Sequence, residues 1–450
     1  MSKYLTLHVE NFAKIRKATI EAAPLTLLVG DNNSGKSYLL SLLWGLTGGV
    51  DFRYLLSDEQ RSAINFDKIQ NLLDFWRTRD YGETIEGNGI PPHKKPLPVN
   101  AEEQSILTEG INFLLAEIKN DLVRDILNTD EIAVQSIHLD IPFREDLEVG
   151  YQIYNGIGFI PWHLTVQDAS SGFIEGSVPD FLCNFVDVSI SLARSVFIPA
   201  PRTGFLLTIK TLTQKSLRTT FGREPLAGNI LTSPQVAYLE KIAAPQQRDL
   251  EKMKLAIRGI LDYVERDIIC GEIKITKTPL PEILYKPKGL DQTLPLYLTS
   301  GVVTEVAGFL SLLKFGHFGR ICIYEEPEMC LHPELQWKMA RVLVKLVNAG
   351  FSVWASTHSD IIIQHVNNMI KLSNHSNREQ LRLDHNYDED DVVSPEKVRM
   401  YQFDVNPSDH KTDVKLLECG DNGFRIPTFG KVFRELRDEV WSLHIDKEET

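Results

Sequence analysis

A chain of 450 residues, 43% of them hydrophobic and 24% charged, is long enough to bury a sizeable core in two or three structural units. No run approaches the roughly 20 apolar residues that a bilayer span requires, and a formal net charge of −13 argues against coating nucleic acid through overall charge, though it leaves room for a local basic strip. The opening MSKYLTLHVENF lacks the apolar block of a signal peptide, and the scattered Cys183, Cys270, Cys322, Cys330 and Cys419 form no CxxC pair, so they are expected to be reduced and mostly buried in a cytoplasmic protein without a membrane partner.

In chain order, Leu5 to Val9 alternates as a strand, and Ala18 to Glu21 suits a second strand paired with it. Leu25 to Val29 is an apolar run ending at Gly30, as in a strand buried on both faces. Tyr38 to Leu46 then reads as a central helix. Residues 51–130 look like an insertion: a polar, turn-forming loop around 86–96, then a helical pattern through Ile111, Leu114, Leu115, Ile118, Leu122 and Ile126. Between Ile132 and Val166 the period shifts towards two, in three candidate strands, and Ser195 to Pro199 is another strand leading into Arg202. Residues 233–269 read as helical, starting at Ser233-Pro234, with an apolar stripe at Leu250, Met253, Ile257, Ile260, Leu261, Val264 and Ile268. The stripe is too short for a coiled-coil arm. Residues 320–372 return to strand, helix, strand, helix, which implies parallel pairing. Asn374 to Asp391 reads as a polar, acidic loop, with Asp388-Glu389-Asp390-Asp391 solvated. Strands are expected near Val398 to Phe403 and Val414 to Glu418, and a closing helix from about Thr428 to Leu443.

Gly30-Asp31-Asn32-Asn33-Ser34-Gly35-Lys36-Ser37 matches G-x-x-x-x-G-K-S at every fixed position. Its glycines let successive N–H groups curl towards a phosphate, Lys36 brings a point charge, and the Ser37 hydroxyl can ligate Mg²⁺. The motif lies between a buried strand and a helix N-terminus, the context that binds nucleotide phosphates. Asn32, Asn33, Ser34, Gly35, Lys36 and Ser37 are therefore the candidate ATP-binding residues. Ile321 to Tyr324 is a strand ending in Glu325-Glu326-Pro327-Glu328, where carboxylates can serve a metal and an attacking water. Read alone, these acids equally suit a solvated loop. Phe351 to His358 is a further strand whose end presents a hydroxyl and an imidazole that can reach a terminal phosphate, or that is merely exposed.

Taken together, these pieces resemble ATP-binding-cassette ATPases of the non-transporter branch: the SMC/RecF-type recombination ATPases and, nearer, the ATPase module of the OLD family. Leu5 to Ser37 resembles that branch's strand, Glu10-Asn11-Phe12, strand and phosphate loop. The run Glu325 to Pro333 resembles its D-E-P-E-x-x-L-H-P signature, and Ser356-Thr357-His358-Ser359 its switch-histidine loop. Phe197 to Arg202 and Leu294 through Gly301 resemble other recurring segments. The resemblance implies an α/β P-loop fold with a mixed central sheet, an antiparallel N-terminal lobe and an inserted helical subdomain. It divides the chain into a head with the phosphate loop (1–50), a helical insertion (51–130), lobe strands (131–232), a helical signature subdomain (233–313) and a C-terminal lobe (314–450).

The same resemblance makes Glu326 the base that polarises water, His358 the phosphate-sensing switch, and Ser37 and Glu325 the Mg²⁺ ligands. Thr299-Ser300-Gly301 falls on the cassette signature, so Ser300 and Gly301 would complete the opposite subunit's ATP site in a homo-oligomer. An ordinary helix N-cap is the alternative reading of Ser300. Glu325 is one methylene longer than the family's aspartate, which leaves room for water-mediated metal contact and for slow hydrolysis. The signature lacks the second glycine and the glutamine of transporters, which counts against transport. Gln152 is one candidate for the Q-loop glutamine. OLD nucleases append a metal-binding Toprim domain, and this chain reads as the ATPase alone. It thus resembles the ATPase subunits of two-component anti-phage systems such as Septu and PARIS, which hold a separate nuclease or toxin. The alternative is a RecF/SMC-like repair ATPase that clamps DNA through Arg202, Lys210, Lys215, Arg218 and Arg223, although those residues also suit a solvated amphipathic helix.

Overall fold

The computed structural model describes residues 4–57, 59–60, 67–80, 97–142, 148–151, 162–165, 172–174, 182, 195–208, 231–243, 255–276, 282–315, 318–420, 423–426 and 429–444. A nine-stranded sheet organises them. Its strands in chain order are β1 (Thr6–Phe12), β2 (Ile15–Glu21), β3 (Leu25–Gly30), β4 (Ser136–Asp140), β5 (Ser195–Ile198), β6 (Ile321–Glu325), β7 (Ser352–Ser356), β8 (Val398–Val405) and β9 (Thr412–Leu416). Their order across the sheet is β4-β1-β2-β9-β8-β3-β7-β6-β5. From β8 to β5 every neighbour is parallel, and from β4 to β2 every neighbour is antiparallel. This is the mixed sheet with an antiparallel N-terminal lobe that the sequence predicts.

Parallel strands are covered on both faces, and the sequence shows why these are. In β3, Leu25, Leu27 and Val29 enter one core while Leu28 enters the other. In β6, Cys322 and Tyr324 face one side, and Ile321 and Ile323 the opposite side. Helices α1 (Lys36–Trp44) and α3 (Ala101–Leu127) cover one face together with α2 (Asp67–Asp80). Leu39, Leu40, Leu42 and Leu43 are all fully buried, so α1 is apolar all round because it is enclosed all round. On the other face lie α4 (Ser233–Ala243), α5 (Leu255–Tyr263), α6 (Gly301–Lys314), α7 (Pro333–Asn348) and α8 (Asp360–Asn374). A short helix α9 (Arg378–Asp384) and α10 (Phe429–His444) complete the described chain.

Element starts follow local chemistry. Asn100 and Glu103 form a reciprocal capping box at α3, Ser359 caps α8 through Ile362 N–H, and Pro333 opens α7. Three candidate strands between 132 and 166 are present, as Ser136–Asp140, Glu148–Tyr151 and Trp162–Thr165. In the apolar stripe, Ile260, Leu261, Val264 and Ile268 are buried, while Leu250 and Met253 lie outside the described residues.

Two expectations are corrected. The 374–391 segment is not simply a solvated loop: it contains α9, and Asp391 is fully buried against Lys345, whose ammonium also meets Asp388 at 2.9 Å. A carboxylate enters the core here because a buried cation stands opposite it. Of the four described cysteines all are free, but only Cys322 is buried, while Cys270, Cys330 and Cys419 are exposed in loops and at a strand end. Cys183 lies outside the described residues.

Candidate functional site

The phosphate loop leaves β3 at Gly30, whose φ of 118° and whose position against β8 exclude a side chain: a Cβ there would stand 2.2 Å from the Phe403 carbonyl oxygen. Gly35, at φ 97°, is the N-cap of α1 and packs beside Ile15. Between them Asn32 and Asn33 are exposed at the loop tip, and Ser34 is buried. The Lys36 ammonium folds back into the loop, donating to the carbonyls of Gly30 at 3.1 Å and Asp31 at 2.6 Å and to Ser34 Oγ at 3.2 Å. Lys36 is only 5% exposed, and burial pulls its pKa down to about 8 against the opposing fields of Glu326, Asp31 and Glu328. A buried ammonium held only by neutral oxygens is suited to a polyanion.

β6 brings the acids to the same place. Glu325 is buried at the strand end, where its carboxylate accepts the Ala200 N–H at 3.0 Å and the Ser37 hydroxyl. Burial raises its pKa, and those two hydrogen bonds oppose the rise. Ser37 and Glu325 thus present adjacent oxygen donors, the chemistry that a hard divalent cation such as Mg²⁺ takes. Glu326 follows with a left-handed φ of 43°, its N–H donating to the Ser356 carbonyl at 3.0 Å. Its carboxylate lies 3.9 Å from His358 Nε2 at the end of β7. Burial, then the nearby Lys36 charge, hold the His358 pKa below its ordinary 6.5, so the ring is neutral at physiological pH.

The β order explains the convergence. β7 lies between β3 and β6, so the phosphate loop, His358 and the acidic run all emerge at the same C-terminal edge. Glu328, which carries no expected role, is half-buried and accepts the His358 backbone N–H at 2.5 Å. It ties the acidic run to the switch loop. The available signal was its place two residues beyond Glu326 in a run whose first two acids already carry expected roles.

Ser300 and Gly301 are exposed at the head of α6, and Ser300 Oγ accepts the Val303 N–H at 3.4 Å. Their near neighbours are Val303, Thr304 and Cys330. The structure therefore groups Lys36, Ser37, Glu325, Glu326 and His358, and places the signature residues on an exposed helix start beside the Cys330 loop. Gln152, Lys210, Lys215, Arg218 and Arg223 lie outside the described residues. Arg202 is corrected: it is fully buried behind β6 and cannot face a DNA backbone.

Residues 5–142 match the family model described as an AAA ATPase domain. No curated protein matches the chain. Among solved structures, an SMC head bound to the C-winged helix domain of ScpA aligns at 12% identity and TM-score 0.38, covering 92% of this chain and 98% of that one. The SMC head domain from Thermotoga maritima aligns at 10% identity and TM-score 0.36, over 92% and 99%. The Pyrococcus furiosus Smc head with an extended coiled coil, bound to the C-terminal domain of ScpA, aligns at 11% identity and TM-score 0.39, over 96% and 99%. The complete phosphate loop, Gly30 to Ser37, lies inside the matched segment, so the likeness to an AAA ATPase domain covers the nucleotide-binding motif.

Proposed function

We propose that this chain binds ATP with Mg²⁺, pairs with a second copy in an ATP-dependent way, and hydrolyses the nucleotide as the regulatory subunit of a two-component anti-phage complex. In that complex it would hold or activate a separate effector protein, such as a nuclease. The observation that carries the ATPase reading is the convergence of Lys36, Ser37, Glu325, Glu326 and His358 on one sheet edge.

Each residue has a task. Lys36 and the loop N–H groups receive the phosphates, while Ser37 and Glu325 would hold Mg²⁺, which neutralises phosphate charge. Glu326 accepts a proton from the attacking water. Neutral His358 senses the terminal phosphate by hydrogen bonding and is oriented through its backbone by Glu328.

Pairing is supported by the exposed, capped start of α6, flanked by Tyr297 and Leu298, which are 72% and 61% exposed. Such an exposed helix start suits a second copy's nucleotide. The separate effector, like the defence setting, is proposed from the family resemblance, and the acids are compatible with it. Among the described residues the cluster with metal-ligand spacing is Asp388, Asp390 and Asp391, and the Lys345 ammonium fills it. No described helix is long and apolar enough to cross a membrane. The defence setting comes from the family resemblance alone.

Native mass spectrometry of the tagged chain, purified from its host with neighbouring genes intact, tests this reading. A stoichiometric second protein on a multimeric ATPase core is the expected result. A bare dimer that gains mass only with ATP and DNA would replace it with the repair clamp.

A further inference from the structure

The residue that sequence reasoning gives to DNA has a different position and a different set of partners. Arg202 follows β5 and is completely enclosed. One guanidinium nitrogen, Nη1, donates to the carbonyls of Pro199 at 3.1 Å and Glu325 at 2.8 Å. The other, Nη2, donates to the carbonyl of Glu326 at 2.9 Å and forms an ion pair with Glu305 on α6. The guanidinium also stacks over the Tyr324 ring, 4.9 Å from its centroid, and Glu305 is held by the Thr203 hydroxyl.

A planar fork with several fixed donors is the side chain that can hold two successive carbonyls and a carboxylate at once. What it holds is unusual. Glu326 adopts φ 43°, a left-handed conformation that side chains other than glycine rarely take, so its peptide must be fixed from both sides. On the N–H side the Ser356 carbonyl accepts its hydrogen bond; on the carbonyl side Arg202 meets it. That backbone conformation sets where the Glu326 carboxylate points. Glu305 lies little more than one helical turn beyond Ser300, so the same guanidinium also reads the position of α6.

We infer that Arg202 is a positioning residue for hydrolysis: it fixes the backbone of Glu326 and, through Glu305, ties the aim of that carboxylate to the signature helix. The inference rests on the ATPase reading above. When a second copy docks at Ser300 and Gly301, any shift of α6 passes to Glu326 through one buried ion pair, so Arg202 links pairing to turnover.

The test separates positioning from packing. Arg202→Lys keeps the positive charge opposite Glu305 but loses the fork that spans the Glu325 and Glu326 carbonyls. Steady-state phosphate release, ATP affinity by calorimetry and thermal melting are measured on Arg202→Lys, Arg202→Met and Glu305→Gln. The expected pattern is ATP affinity within about twofold of wild type in Arg202→Lys, with kcat lowered about 100-fold, the scale at which small misplacements of a catalytic group act. Lysine should recover melting relative to Arg202→Met without recovering kcat.

Lysine restoring kcat and melting in step, or turnover within twofold of wild type, would overturn the role. Should both Arg202 variants fail to fold, Glu305→Gln decides: an unchanged kcat overturns the link to α6, and a fall of about tenfold at unchanged ATP affinity supports it. Absence of turnover in the wild type would instead sink the ATPase reading, and this inference with it.

Discussion

Lys36 gives the sharpest quantitative prediction, because its environment changes so much when phosphates arrive. In the chain without nucleotide its ammonium is buried among carbonyls and a hydroxyl, and burial lowers its pKa to about 8. A triphosphate beside it stabilises the charged form and raises that pKa. Binding must then take up a proton in the window between about 8 and the raised, bound value. The sign follows: affinity is highest below pH 8, where Lys36 is already charged, and falls as pH rises above it. If the bound lysine stays charged throughout, the protonated fraction of free Lys36 drops about tenfold between pH 7 and pH 9, and MgATP affinity should fall by the same factor. That is about 1.4 kcal/mol. Calorimetric titration in buffers of different ionisation enthalpy reads both quantities, the affinity ratio and the proton uptake near pH 8. Flat affinity with no proton uptake would refute the reasoning, and Lys36→Arg should abolish the pH dependence whatever it does to affinity.

Gly30→Ala places a Cβ against the Phe403 carbonyl at a φ of 118°, so the β3–β8 edge must shift. The expected loss is roughly 2–5 kcal/mol from strain and overpacking, seen as a lower melting temperature; an unchanged midpoint would contradict the geometry. Lys345→Ala leaves Asp391 buried without its main counter-charge, a loss of about 3–5 kcal/mol at neutral pH. Burial already raises the Asp391 pKa, so the folded variant favours the neutral acid and its deficit should shrink as pH falls towards 4. Urea denaturation at pH 5 and pH 7.5 checks that difference, and equal deficits would refute it. Gly301→Glu puts a carboxylate on the exposed start of α6, where the second copy's phosphates are proposed to sit, and should abolish ATP-dependent pairing while leaving ATP binding within about twofold. Size-exclusion chromatography with light scattering reads the pairing.

The parts of the site that were legible in the sequence are those written in one short segment. The phosphate loop shows itself because glycine, lysine and serine must fall at fixed offsets between a strand and a helix, and β3 and α1 then follow from apolar runs. The positions of the acidic run and the His358 loop were legible for the same reason, each being a strand and its first residues beyond. Arg202 was not, because nothing near it in the sequence announces burial; its partners come from β6 and α6, far along the chain. Asp391 was misread for the matching reason. An acidic stretch is normally solvated, and the lysine that neutralises it stands on α7. Long-range electrostatic pairing is a property of the fold, and hydropathy along the chain does not carry it. The exposed cysteines show the converse error, since the residue type leans towards burial while three of the four described positions fall outside the core.

In the proposed cycle this chain turns over ATP with Glu326 as the base and opens a paired state by doing so. Phosphate release and oligomeric mass, measured side by side for wild type and Glu326→Gln with MgATP, address it most directly. The expected result is slow turnover with transient pairing in the wild type, and ATP binding, a stable pair and turnover lowered at least about 100-fold in the variant. Normal turnover in Glu326→Gln, or a monomer in both proteins at saturating ATP, would contradict it.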